Sequence, residues 1–334
     1  MPLQSFPTHL KSIISAAHTR ELRGHKQKVL TVGWSADGKK LCSGSADQTA
    51  RVWTNIERTS NRDALELKAH TGEVDQLCWD PTDPERLATA SLDSSVIMWD
   101  LRSADRSKTA PYIRKVQTSG ENINLCWSPD GRNIAVGSKE DVVAFIDTRG
   151  GGDSRSEKKY VWHTIKNEVE INEISWNLAG DLFFMTTGQG TVRIVDFPGF
   201  KDVLDLRAHT ANLYCLDFDP KGRYFATGSA DALVCLWDAE EFVCLRTFGT
   251  LEWPVRTISI SHDGELLASG SEDRVIDISS VETGETVHTI TCNAATNSIA
   301  WHPRQHLLAY AGDDVRSAMP EGNLRVFGFS ESVR

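Results

Sequence analysis

Short apolar runs separated by polar turn words recur along the chain. Each cycle begins with a run that ends on a large aromatic or aliphatic residue. These end points are Trp34, Trp79, Trp127, Trp176, Phe218, Ile260 and Trp301, spaced 41 to 49 residues apart. Polar words follow most of them: Ser35-Ala-Asp-Gly38, Ser128-Pro-Asp-Gly131, Asp219-Pro-Lys-Gly222 and Ser261-His-Asp-Gly264. Asp-Gly between β-rich runs predicts a hairpin, because glycine supplies the positive φ the turn needs. A second run rich in small residues comes next, such as Leu267-Ala-Ser-Gly-Ser271, and then a third. The fullest copy is Leu41-Cys-Ser-Gly-Ser-Ala-Asp47 ending at Trp53. It returns as Leu87-Ala-Thr-Ala-Ser-Leu-Asp93 ending at Trp99-Asp100, and as Phe225-Ala-Thr-Gly-Ser-Ala-Asp231 ending at Trp237-Asp238.

Self-similarity at this period predicts an all-β, seven-bladed β-propeller with four strands to a blade. Small residues in the second strands suit its crowded centre. The last unit, from Ser298 to Phe327, supplies only three strands. Residues 18–22 precede the first Gly24-His25 and are predicted to add the missing strand, closing the ring and hiding two free edges. Residues 1–17 then form an N-terminal extension and 18–330 one propeller, since repeats that bury their faces against each other share one core. Residues 9–17 could form a short helix capped by Thr8. The longest departures from the repeat are polar loops at 103–115 and 149–163, with smaller irregularities at 250–254 and 315–322.

Length and composition agree with this picture and narrow the function. A 334-residue chain would suggest about two domains on length alone, but the repeat overrides that. Hydrophobic content of 40% and charged content of 25% are those of a soluble globular protein. A net charge of −10 argues against a broad nucleic-acid footprint, which needs a basic face. No apolar run approaches the ~20 residues of a membrane span, and the first 25 residues lack the apolar core of a secretory signal. The seven cysteines are scattered, with no Cys-x-x-Cys, which fits a reduced intracellular protein without a metal or redox centre.

His25, Ser43 and Asp47 recur as His70, Thr89 and Asp93, and again as His209, Thr227 and Asp231, each set with its Trp53, Trp99 or Trp237. A catalytic triad has no reason to occur three times in one ring. A buried hydrogen-bond relay that staples each blade does. At the tryptophan position the third, fourth, sixth and seventh units place Ile146, Val195, Ser279 and Phe327, so those blades are expected to rely on apolar packing. His302 and His306 lack the glutamate and helix of a zinc motif, and Pro303 favours a hairpin. Gly188-Gln-Gly190 has neither the third glycine nor the helix of a phosphate loop. Arg102, Arg106, Lys108, Arg114 and Lys115 read as a solvated basic loop. The residues four before each anchor should ring the channel mouth: Leu30, Asp75, Ile123, Asn172, Tyr214, Arg256 and Asn297. Glu73 lies two residues further out. With Trp253 as an aromatic anchor, Glu73, Asp75, Asn172, Tyr214 and Arg256 are the candidate protein-binding residues.

Gly-His, Ser-Pro-Asp-Gly, Ser-Gly-Ser-x-Asp and Trp-Asp are the words of the WD40 family, and the resemblance spans Thr19 to Phe327. Gly120-Glu-Asn-Ile-Asn-Leu-Cys-Trp127, Val136-Gly-Ser-Lys-Glu-Asp-Val-Val143, Trp253-Pro-Val-Arg-Thr257 and Glu272-Asp-Arg-Val-Ile-Asp-Ile278 further resemble the THO complex subunit 3 group of that family. That resemblance implies a non-catalytic scaffold in the nucleus, in the THO/TREX assembly that couples transcription to mRNP packaging and mRNA export. It implies other THO/TREX subunits as partners, mRNP contact that is indirect, little direct RNA binding, no membrane and no cofactor. The chain departs from a self-importing nuclear protein in lacking a basic import run. The alternative is a WD40 adaptor that recruits substrates to a ubiquitin ligase or chromatin complex, which would call for a further helical docking region.

Overall fold

The computed structural model describes residues 17–54, 56, 64–103, 112–149, 160–312 and 322–329. They form seven antiparallel four-stranded sheets. The channel-lining first strands are Val29–Trp34, Val74–Trp79, Asn122–Trp127, Ile171–Trp176, Leu213–Phe218, Val255–Ile260 and Thr296–Trp301. Each ends on the residue that the hydrophobic pattern marks. Blades one to six are built from four consecutive strands. In the seventh, Thr296–Trp301, Leu308–Gly312 and Gly322–Phe329 are joined at the outer edge by His18–His25. The closing strand is longer than the expected 18–22. It pairs Glu21 with Arg325 and Leu22 with Leu324, and buries Leu22, Leu324 and Val326.

Local chemistry explains the hairpins. Gly38, Gly131, Gly222 and Gly264 take φ of +75°, +71°, +74° and +68° in the turns after the first strands. Gly44 in the second strand of blade one answers to packing instead. A Cβ there would lie 2.7 Å from Thr31 Cγ2 and 2.8 Å from Val74 Cγ1 of the next blade. The first-strand tryptophans bury their rings between blades. Trp34 Nε1 donates to the Ala300 carbonyl at 3.1 Å and Trp79 Nε1 to the Gly33 carbonyl at 2.9 Å, so each ties its blade to the preceding one. Blades three and four meet around Phe145, which packs edge-on against Trp176 and Phe183.

The strand register sets Ile146, Val195, Ser279 and Phe327 opposite second-strand residues, in the column that Trp53, Trp99 and Trp237 occupy elsewhere. Blade six nevertheless departs from purely apolar packing. Asp277 is buried there and accepts hydrogen bonds from Ser279 Oγ at 2.5 Å and Thr286 Oγ1 at 2.9 Å. A small hydroxyl in place of the indole leaves room for this carboxylate.

The two long loops are shorter than expected. Tyr112–Gln117 and Val161–Lys166 are the outer strands of blades two and three. Arg114 and Lys115 therefore belong to a strand. The Arg114 guanidinium lies 4.0 Å over the Tyr160 ring, and Lys115 Nζ lies 3.3 Å from Asp93 Oδ2. Arg102 reaches both Asp83 and Asp100. Ion pairing and stacking absorb these charges, which is why they do not form a free basic loop. Arg106 and Lys108, the helix expected at 9–17 with its cap Thr8, the glycine-rich part of 149–163 and most of the irregularity at 315–322 lie outside the described residues.

Candidate functional site

Three networks of one design run through blades one, two and five. In blade one His25 Nδ1 lies 2.9 Å from Asp47 Oδ2 and His25 Nε2 lies 2.9 Å from Ser43 Oγ, to which Trp53 Nε1 donates at 3.1 Å. Blade two repeats this with His70, Asp93, Thr89 and Trp99. There Nε2–Oγ1 is 2.8 Å and the indole bond 2.9 Å. Blade five does so with His209, Asp231, Thr227 and Trp237, both bonds to Thr227 being 2.9 Å.

The partners assign a direction to each chain. An ionised carboxylate only accepts, so in its neutral form the imidazole carries its proton on Nδ1. Nε2 then accepts from the hydroxyl, whose remaining lone pair takes the indole N–H. Burial alone would raise the carboxyls of Asp47 and Asp93. Hydrogen bonds from the imidazoles and from neighbouring hydroxyl and amide groups outweigh it and hold both well below the usual carboxylate range. Asp231 is lowered in the same way, with His209 as the chief opposing influence. Ser43, Thr89 and Thr227 are 0% exposed and fully engaged, so none of these hydroxyls can meet a substrate as a nucleophile.

The seven residues four before the anchors line one cavity of about 670 Å³ at the channel mouth, one from each blade. This brings Asp75, Asn172, Tyr214 and Arg256 together. Arg256 stacks 4.1 Å over the Tyr214 ring while its Nε and Nη2 donate to Glu272 Oε1 at 3.0 and 2.6 Å. Burial, reinforced by the charge of Glu73, pushes the Asp75 carboxyl up to about 6. Glu73 stands outside the cavity lining. So does Trp253, which is 57% exposed in the segment leading into blade six, with its backbone N–H bound to Asp273.

Below the mouth the channel narrows to a polar throat of about 320 Å³. Gln76 Nε2 reaches across from blade two to Glu173 Oε2 of blade four at 3.2 Å. Asn124 Nδ2 donates to the Asn172 carbonyl at 2.6 Å, while Asn172 Nδ2 and Asn124 Oδ1 have no partner. Burial pushes Glu173 up to about 7. It does the same to Asp217, whose Oδ2 accepts from the Ile260 N–H at 2.8 Å. Gln76, Glu173, Asp217 and Glu272 are not among the sequence candidates. A signal was available for two of them: Gln76, Asn124 and Glu173 fall in one column, three before the anchor, where an apolar strand carries polar residues.

Comparisons with known proteins agree with this architecture. The THOC3 beta-propeller domain matches residues 25–311. THO complex subunit 3 of Arabidopsis thaliana is 52% identical over 94% of this chain and 96% of its own length. WD repeat-containing protein AAC3 of Dictyostelium discoideum is 33% identical over 94% of this chain and 68% of its own length. The crystal structure of the Myceliophteria thermophila Cps50 (Swd1) β-propeller domain superposes with a TM-score of 0.79 over 94% of this chain and 99% of that one, at 17% identity.

Proposed function

Because this chain belongs to the THOC3 β-propeller family, we propose that it is a non-catalytic scaffold subunit of a nuclear THO/TREX-type complex, coupling transcription to mRNP assembly and mRNA export. The observation that carries the reading is the family match, which covers nearly the whole ring. The mouth supplies a surface suited to the role. All seven blades present side chains to a shared cavity, so a partner there reads the whole ring at once. Arg256, stacked on Tyr214 and forked onto Glu272, is pre-positioned, and Trp253 beside it in sequence offers exposed aromatic area. Aromatic residues and arginine lead interface hot spots, at about 2 kcal/mol or more each.

The test is the Trp253→Ala, Arg256→Glu double variant. It should keep the wild-type melting transition yet be lost from THO subunits recovered from nuclear extract. A loss of 2 kcal/mol or more corresponds to roughly thirtyfold weaker binding. Glu272 would face a like charge in this variant, so Arg256→Ala serves as the milder control. Co-purification at the wild-type level would move the interface off the mouth. Wild-type chain that recovers no THO subunit would overturn the scaffold reading itself.

A further inference from the structure

The end of the ring opposite the mouth carries a cluster that the scaffold reading leaves unused. His262 and Asp263 sit in the turn after Val255–Ile260 of blade six. His306 sits in the loop between Thr296–Trp301 and Leu308–Gly312 of blade seven. One ligand atom from each of the three lies within 4.8 Å of the other two. His306 Nε2 is 2.8 Å from Asp263 Oδ2, and the two imidazole centroids are 4.8 Å apart.

Two details separate this cluster from the His–Asp pairs of blades one, two and five. In those, the second imidazole nitrogen is matched by a buried hydroxyl. Here the third member is another imidazole, and His262 Nδ1 is buried with no hydrogen-bond partner. An unmatched buried ring nitrogen keeps a lone pair or N–H in need of a partner. Asp263 Oδ1 is taken by Ser261 Oγ and the Glu265 N–H, which leaves Oδ2 to His306. The nearby cations do not compete for that oxygen: Lys221 Nζ and Arg223 Nη2 donate to the Asp263 main-chain carbonyl. His302 is not a member, because its Nε2 is bound to the Gly38 carbonyl and its Nδ1 to the Arg304 N–H.

We propose that His262, Asp263 and His306 form a binding site for a divalent transition metal of the zinc type, clamping blade six to blade seven. Two imidazoles and a carboxylate suit such a borderline ion and leave a fourth position for water. The harder magnesium and calcium ions prefer all-oxygen sets. The clamp joins the turns of two neighbouring blades, so an ion there would resist their separation. Metal bound only by the folded state raises the melting temperature as its concentration rises.

The probes are Zn²⁺ and Co²⁺ added to the full chain, with Mg²⁺ as control. Zn²⁺ should raise the melting temperature and bind one to one, and Mg²⁺ should do neither. Co²⁺ should give a nitrogen–oxygen ligand-field spectrum without the thiolate band that the exposed Cys244 would produce. His262→Gln and His306→Gln should each weaken Zn²⁺ binding at least about tenfold, the scale of losing even a supporting partner. Zn²⁺ stabilisation that is absent in the wild type, or unchanged in both variants, overturns the site. Should either variant fail to fold, the wild-type imidazole resonances decide. Those of His262 and His306 must shift first on adding Zn²⁺, and a different pair shifting first overturns the proposal.

Discussion

Within blade five, His209 is held between Asp231 and Thr227, and Thr227 in turn holds Trp237. Truncating the imidazole leaves a buried hydroxyl and a carboxylate short of partners, so His209→Ala should cost about 1–3 kcal/mol. Chemical denaturation checks this, and an unchanged midpoint would remove the network from the stability account. Two buried carboxyls make a separate prediction about pH. Glu173 and Asp217 are pushed up to about 7, above the roughly 4 of an unfolded carboxyl, so between those values the folded chain binds more protons than the unfolded one. Stability should therefore fall as pH rises from about 4 to about 7. Asp47, Asp93 and Asp231 are lowered and act with the opposite sign: their contribution is complete above about pH 4 and is lost on further acidification. Urea titrations should find maximum stability at about pH 4, declining toward neutrality. Glu173→Gln should flatten that decline, and an unaltered slope would show that this carboxyl does not titrate there.

Each blade is marked at the level of its elements by an anchor and a turn, and the ring depends on one pairing, within the seventh blade, that joins the two ends of the chain. His18–His25 covers the edge of Gly322–Phe329. Deleting residues 1–24 removes that cover and should produce aggregation, as an exposed strand edge does. Deleting residues 1–15 should be tolerated. Size-exclusion chromatography with light scattering reads both, and a monomeric, equally stable 1–24 deletion would mean that the edge needs no cover. The outer strands Tyr112–Gln117 and Val161–Lys166 were not legible in the repeat. Their sequences follow long insertions, and outer strands pack on one side only, so the apolar signature that marks inner strands is weak in them.

For the whole molecule, charge and cavity matter more than any single blade. With a net charge of −10, and with Arg102, Lys115, Arg193, Arg223 and Arg256 each paired with a carboxylate, the isolated chain should bind RNA weakly. That binding should vanish at physiological salt, because it would rest on phosphate contacts alone. Fluorescence anisotropy against salt concentration measures this, and tight, salt-resistant binding would require a dedicated RNA site on the ring.

The amino-acid order by itself determined the number of blades, their anchors, the three His–Asp networks and the strand that closes the ring. The blades, anchors and networks are written as words that recur along the chain, and the closing strand follows from the last unit supplying only three strands. It also placed the seven mouth residues, because the same offset from each anchor lands at the same height on each first strand. Only the tertiary structure decided what those residues meet. Tyr214 and Arg256 come from adjacent blades, Gln76 and Glu173 face each other across the channel, and His306 finds Asp263 from the next hairpin. Such contacts depend on the curvature of the closed ring. The repeat period says that blades stack, but the angle between them sets which side chains touch.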